Sequence, residues 1–202
     1  TGRTLARTIV ADWLVRLRPY LADGELRIST RSLADAVHDL QHGLADFSIL
    51  YHHPSLVVPL DGRQFEHVAL ATDRLLPVSR TDASGAPMYF LEAGCAPVPY
   101  IAYDRTLALG RLVEDLLAHH PLAAHLKRLV ECDSPDANYE YVRKGLGVSW
   151  LPWSVVHADV KSGLLAPAGA KGLEVKFDVR MFRSKRRLSA LAESLWSTIA
   201  RR

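Results

Sequence analysis

Apolar residues recur at three- and four-residue steps along "TLARTIVADWLVRLRPYL" (4–21), where Leu5, Ile9, Trp13, Leu17 and Tyr20 share one face. That spacing predicts an amphipathic helix. Thr1 or Thr4 is its expected cap, and Pro19 with "ADG" marks its end. "ELRIST" (25–30) alternates polar and apolar residues as a strand does. "SLADAVHDLQHG" (32–43) opens on a capping box, Ser32 with Asp35, and stops at Gly43. "DFSILY" (46–51) is the next strand. The first fifty residues thus read helix, strand, helix, strand, an alternation that predicts a parallel sheet with crossover helices.

Further along, "FEHVALATDRLLPVSR" (65–80) is a long extended stretch, and the polar "TDASGAP" (81–87) a turn. "VPYIAY" (98–103) and "LKRLVEC" (126–132) read as strands around the helix "TLALGRLVEDLLAHH" (106–120). "SPDANYEYVRKG" (134–145) carries Ser as cap, Pro in the first turn and Gly just past the end. A buried strand "VSWL", a helix "PWSVVHADVKSG" (152–163), a strand "LEVKFDVRMF" (173–182) and a helix "RLSALAESLWSTIA" (187–200) complete the chain. The Gly-x-Gly at Gly145 and Gly147 stands between a helix and a strand. A phosphate loop needs strand, glycine loop, helix and a Lys-Ser/Thr pair, so these glycines read as a joint: Gly145 for φ > 0, Gly147 for the turn into the strand.

With 202 residues, 49% hydrophobic and 23% charged, the chain is an ordinary globular protein of one large or two small domains. No run approaches the roughly 18 apolar residues of a membrane span. The net charge of +3 is mild and concentrated in "RSKRR" (183–187), with Arg201 and Arg202 at the end. That is too little for a nucleic-acid groove, so a solvated helix start is favoured. Cys95 and Cys132 are too few for a disulfide framework and too far apart for a CxxC motif, which fits a reducing cytoplasm. Cys132, just before a helix start, is the redox candidate.

Nine histidines do not assemble a catalyst. His38 and His42, four apart on one helix, lack a third ligand and read as exposed surface. His52-His53 follows a strand end, and His119-His120 suits a helix C-terminus. Neither a GxSxG elbow nor a base and nucleophile pair appears, so the chain reads as no enzyme, and no metal or cofactor is implied.

The segments "TLARTIVADWLVRLRPYLADGELRIST", "GLADFSILY", "FEHVALATDRLLPVSR" and "RKGLGVSWLPWSVVHADVKSGLL" together resemble the effector-binding domain of LysR-type transcriptional regulators, over essentially the whole chain. A glycine joint with a following Leu-Pro, a helix and x-x-G-x-L is the most specific of these features. "YHHP", "ATDRLLPVS" and "VPYIAYDRTLALGRLVE" are similar to the hypochlorite-responsive branch of that family. The resemblance implies an α/β fold of two Rossmann-like lobes joined by two crossover strands, like the type 2 periplasmic binding proteins. Lobe I would be 1–70 plus 167–202 and lobe II 71–166, with the hinge near Ala71 and Ala166. It also implies a homodimer or homotetramer, and DNA contact only through a winged helix-turn-helix domain absent from this chain, as the first strand of lobe I is expected to be.

In an open α/β lobe, small molecules sit beyond the carboxyl ends of strands, where helix N-termini point. Those positions are Thr1, Thr4, Thr30, Arg31, Ser32, Tyr51 and His52 in lobe I, and Tyr103, Thr106, Asp133 and Ser134 in lobe II. Hydroxyls, helix N-termini and Arg31 favour a small anion such as a carboxylate; taken singly, Thr4, Ser32 and Ser134 are equally explained as caps. The expected function is effector sensing, with a small molecule held between the lobes. Oxidant sensing and a periplasmic solute-binding role are the alternatives.

Overall fold

The apolar face of 4–21 folds as a succession of turns rather than one regular helix. α1 (Arg3–Leu5) runs through a π turn (Ala6–Val10) into α2 (Ala11–Leu17) and a 3-10 turn (Arg18–Tyr20). The Thr8 hydroxyl donates to the Thr4 carbonyl at 2.8 Å inside this run, the type of side-chain contact that competes with regular helix bonding. The computed structural model describes residues 1–21, 24–93 and 96–200. Ala22 and Asp23 of the expected helix stop, Cys95, Arg201 and Arg202 lie outside the described residues.

By its internal contacts the chain divides into unit 1, Thr1–Thr72 with Asp178–Arg202, and unit 2, Asp73–Phe177. Two long strands carry it across: β2 (Phe65–Arg80) outward and β7 (Val175–Ser184) back. By those contacts the return falls at Phe177–Asp178. The reason is that β6 (Leu165–Pro167) pairs antiparallel with Val78–Arg80 of β2 and stays in unit 2.

In unit 1, α3 (Leu33–Gln41) covers one face of the antiparallel pair β1 (Phe47–His52) and β7. Successive strand residues point to opposite faces, and the register sorts them. Ser48, Leu50 and His52 stand with Asp178, Arg180 and Phe182, while Phe47, Ile49 and Tyr51 stand with Val179, Met181 and Arg183. On the first face Ala36, Val37 and Leu40 pack on Leu50, Phe65 and Phe182, and the buried Ser48 hydroxyl donates to the Ala36 carbonyl at 2.8 Å. On the second face α7 (Ala190–Ala200) stacks Trp196 on Phe47. Arg183, 4% exposed, makes two 2.8 Å bonds there to the Glu193 carboxylate.

The parallel sheet expected of the first fifty residues does not form. Among the described residues "ELRIST" pairs with no strand, and β1 is antiparallel to β7. Alternation makes a strand only where a neighbour offers a ladder for its N–H and C=O groups. The end of this segment meets Thr1 instead: the Thr1 N–H donates to the Ser29 carbonyl at 3.2 Å, and the Thr1 carbonyl accepts from Arg31 N at 2.8 Å.

Unit 2 holds the parallel pair, β3 (Val98–Tyr103) with β4 (Leu126–Cys132), connected through α4 (Ala108–Ala118). α5 (Pro135–Arg143) follows, capped by the Ser134 hydroxyl, which accepts from Ala137 N at 3.3 Å. It ends in a paired closure typical of a glycine at the residue after the cap. Gly145 N bonds the Val142 carbonyl, Leu146 N bonds the Tyr141 carbonyl, and Gly145 has φ +78°. Gly147 serves a different need. A Cβ there would stand 2.5 Å from the Pro99 carbonyl oxygen, which accepts from Val148 N at 2.8 Å. The chain then enters β5 (Ser149–Pro152), antiparallel to β2, and α6 (Trp153–Lys161). Trp150 is fully buried, its indole N–H donating to the Leu173 carbonyl at 2.8 Å.

Candidate functional site

The candidate residues of unit 1 gather around the start of α1. Neither Thr1 nor Thr4 caps it; the cap is Gly2, whose backbone is extended and which makes no side-chain bond. Thr4 lies inside the helix, 4% exposed, and its Oγ1 is buried without a hydrogen-bond partner, as is that of Thr1. The hydrogen bonds that Thr1 donates to Ser29 and accepts from Arg31 bring Thr30, Arg31 and Ser32 beside it. Tyr51, 7% exposed, borders the same place: a Cβ on Gly2 would lie 4.0 Å from its ring.

These side chains differ in what they have left to offer. The Ser32 hydroxyl accepts from Asp35 N at 3.1 Å and donates to the Asp35 carboxylate at 2.7 Å, so it is committed to its capping box. Arg31 is half-exposed and reaches the Asp39 carboxylate at 3.4 Å. Among the described residues the Thr1 and Thr4 hydroxyls are buried with capacity unspent. A buried hydroxyl left so costs about 1–3 kcal/mol.

His52 does not join this group. As the neighbour of Tyr51 on β1 it faces the opposite side, where Arg180 Nη1 lies 3.1 Å from its Nε2. Burial first, and the Arg180 guanidinium next, push its imidazole below the usual histidine value, with Asp178 opposing.

In unit 2 the candidates collect at the carboxyl ends of β3 and β4, where Tyr103 pairs with Cys132. Asp104 N donates to the Cys132 carbonyl at 2.9 Å. Thr106 donates both its N–H, at 2.7 Å, and its hydroxyl to Asp104, which holds that carboxyl below the ordinary range. Ser134 is spent as the α5 cap, and its N–H points to the half-buried Cys132 sulfur at 3.4 Å. Asp133 is exposed. Position at strand ends was thus readable, but the Thr106 and Ser134 hydroxyls are engaged in local turns, while Tyr103 is buried at 1% exposure.

Sequence reasoning passed over Asn138, His67, Asp178 and Arg180. Asn138 is fully buried on α5, donates to the Ala102 carbonyl at 3.1 Å, and leaves its Oδ1 without a partner. The other three surround His52. Asp178 and Arg180 alternate visibly in "DVRMF", but the strand register that sets them against His52 is not written in either segment. Among the described residues no three His, Cys, Asp or Glu side chains are grouped to hold a metal, and no helix is long and apolar enough to cross a membrane.

Comparison with known proteins gives a consistent answer. The family model described as LysR substrate binding domain matches residues 1–202. The HTH-type transcriptional regulator YjiE of Escherichia coli (strain K12) is 25% identical over 162 residues, 80% of this chain and 51% of that protein. The chain therefore spans about half the length of this curated relative. The apo regulatory domain of HypT from Salmonella typhimurium superposes with a TM-score of 0.77 at 23% identity, covering 93% of this chain and 88% of that one. Full-length HypT, named as a hypochlorite-specific LysR-type transcriptional regulator, gives 0.79 at 22% identity over 97% of this chain and 64% of its own.

Proposed function

We propose, from the premise that this chain belongs to the LysR substrate binding domain family, that it senses a small anionic effector and so alters DNA binding by an attached helix-turn-helix domain. The family and the relatives are transcriptional regulators and not enzymes, and the fold is their mixed α/β, type 2 periplasmic-binding-protein-like one. The observation that carries the effector reading is the Thr4 hydroxyl, buried and unpartnered like that of Thr1 three positions earlier. An acceptor-rich ligand such as a carboxylate would take hydrogen bonds from both hydroxyls and meet the half-exposed Arg31 charge.

Coupling to DNA needs two arrangements of the protein that differ in ligand affinity; tight binding alone shifts nothing. β2 and β7, on which the chain passes between its units, are the segments through which a bias at Thr4 would travel. The regulator would act in the cytoplasm as a homodimer or homotetramer. Val15, 75% exposed, and Tyr20, 48% exposed, support an apolar contact on the first helical run. Calorimetric titration of small carboxylates and inorganic anions against the wild type and Thr4→Val tests the effector reading. Loss of about tenfold or more in affinity is expected, equivalent to one hydrogen bond to a charged group. Equal affinity in both proteins would take Thr4 out of the site.

Oxidant sensing is the second reading, favoured by one residue. Met88 is 47% exposed, so its thioether is open to oxidation to the sulfoxide, whereas Met181 is 1% exposed. Mass spectrometry after hypochlorite treatment, paired with DNA binding by the full-length regulator and its Met88→Leu form, separates the two readings.

A further inference from the structure

One guanidinium in unit 1 is shared by two histidines from different strands. Arg180 on β7 places Nη1 3.1 Å from His52 Nε2 on β1 and 3.4 Å from His67 Nε2 on β2, and its Nη2 donates to the Asp178 carboxylate at 2.8 Å. An arginine has donors and no acceptor. A hydrogen bond from it to either Nε2 needs that nitrogen to present a lone pair, as in a ring that carries its proton on Nδ1. His52 Nδ1 stands 4.0 Å from the Asp178 carboxylate, in keeping with that tautomer. The guanidinium is still short of acceptors, because its Nε is buried with no hydrogen-bond partner. His67 rests edge-on against Phe182 at 5.2 Å and is otherwise exposed, so the cluster opens to solvent.

Protonation would overturn this arrangement. Each imidazolium would turn its Nε2 from an acceptor into a donor aimed at the same guanidinium. Fully protonated, His52, His67 and Arg180 would be three cations set against Asp178, the single carboxylate in the group. Two imidazolium N–H groups and the guanidinium would then converge on one spot, with no protein acceptor between them.

We propose that His52, His67 and Arg180 form a proton-coupled site for a small inorganic anion, taken up together with protons on the imidazoles. The site is separate from the Thr4 hydroxyl, since Tyr51 and His52 face opposite sides of β1, and it stands or falls without the effector reading. The anion replaces the lone pairs that protonation removes, between the imidazoles and Arg180 Nη1. By linkage, anion affinity rises as pH falls through the histidine range, by up to about tenfold per pH unit for each proton taken up.

Inorganic sulfate is the probe, because it does not titrate across this window, and bulky gluconate at equal ionic strength is the control. The ring resonances of His52 and His67, followed by NMR in the 202-residue chain, should titrate at least about half a pH unit higher in sulfate than in gluconate. The difference should vanish in Arg180→Gln. His67→Phe, which keeps the contact with Phe182, should reduce the sulfate effect at His52. Sulfate binding by calorimetry should be at least about tenfold tighter near pH 5.5 than near pH 7.5. Identical titrations in sulfate and gluconate would overturn the proposal. So would a sulfate effect at His52 that is undiminished in His67→Phe, or one that persists in a folded Arg180→Gln.

Discussion

Gly147→Ala is expected to cost this chain about 2–3 kcal/mol, although alanine is the smallest change available. The new Cβ would stand 2.5 Å from the Pro99 carbonyl oxygen, 3.0 Å from its carbon and 3.2 Å from the Pro99 Cβ. The obstacle is backbone and not the tip of a flexible side chain, so a strand has to move. Overpacking of this kind costs about 1–3 kcal/mol. The displaced carbonyl is also the acceptor for Val148 N at 2.8 Å, and weakening that bond adds up to about 1 kcal/mol. At about 2–4 °C per kcal/mol for a chain of this size, the melting temperature should fall by roughly 5–10 °C. Differential scanning calorimetry reads this directly, against two controls. Gly62→Ala meets nothing within 4 Å and should shift stability by less than about 0.5 kcal/mol. Gly145→Ala, at φ +78° with only the flexible Met88 sulfur at 3.2 Å, should lose about 1–2 kcal/mol from its left-handed backbone. A Gly147→Ala protein melting with Gly62→Ala would refute the close-approach argument.

Trp150→Phe removes the only indole donor facing the Leu173 carbonyl and leaves a void in a fully buried position; a loss of about 2–4 kcal/mol is expected in urea unfolding, and less than about 1 would show that the bond is dispensable. Glu193 is held down to about 2 by its hydrogen bonds to Arg183 and then to Leu188 N. Its folded value lies below its unfolded one, so its contribution is complete above the ordinary value of 4.5 and disappears as pH falls through about 2. Glu193→Gln should therefore trail the wild type at neutral pH and converge with it in acid; urea midpoints that keep a constant gap would contradict the pairing. Thr4→Val should stabilise the ligand-free chain by up to about 1 kcal/mol, because a methyl replaces a hydroxyl that has no partner, and a thermal-shift measurement showing a loss would mean that the hydroxyl is satisfied after all.

Where a local rule was sufficient, the residues announced their structure. Ser32 with Asp35, Ser134 with Pro135, and Gly145 at the end of α5 each act through partners within five residues in the chain. Where a distant partner decides, the pattern misled. "ELRIST" has the alternation of a strand and no strand beside it. Gly147 was read for its turn, yet its reason is the Pro99 carbonyl forty-eight positions away. The pairing of β1 with β7 joins segments more than a hundred residues apart, and that register alone separates Tyr51 from His52 and delivers Arg180 to the latter.

The hydroxyls carry the same lesson into function. Ser48 and Ser149 are as buried as Thr4, and each donates to a carbonyl at 2.8 Å, of Ala36 and of Ile101. Ser32 and Ser134 belong to caps. Residue type and burial therefore do not distinguish a structural hydroxyl from a binding one; the state of its hydrogen bonds does. A chain that satisfies its other serines at such positions and leaves Thr4 without an acceptor retains a free-energy cost of about 1–3 kcal/mol. That cost becomes intelligible if the missing acceptor arrives from solution, because a ligand that fills it gains a bond the empty protein cannot make. The same reasoning applies on the other face of β1, where Arg180 Nε lacks an acceptor. Two vacancies of opposite setting, a neutral hydroxyl away from any histidine and a guanidinium beside imidazoles, therefore call for ligands that answer to pH differently: one bound alike across the histidine range, the other tightening as the imidazoles protonate.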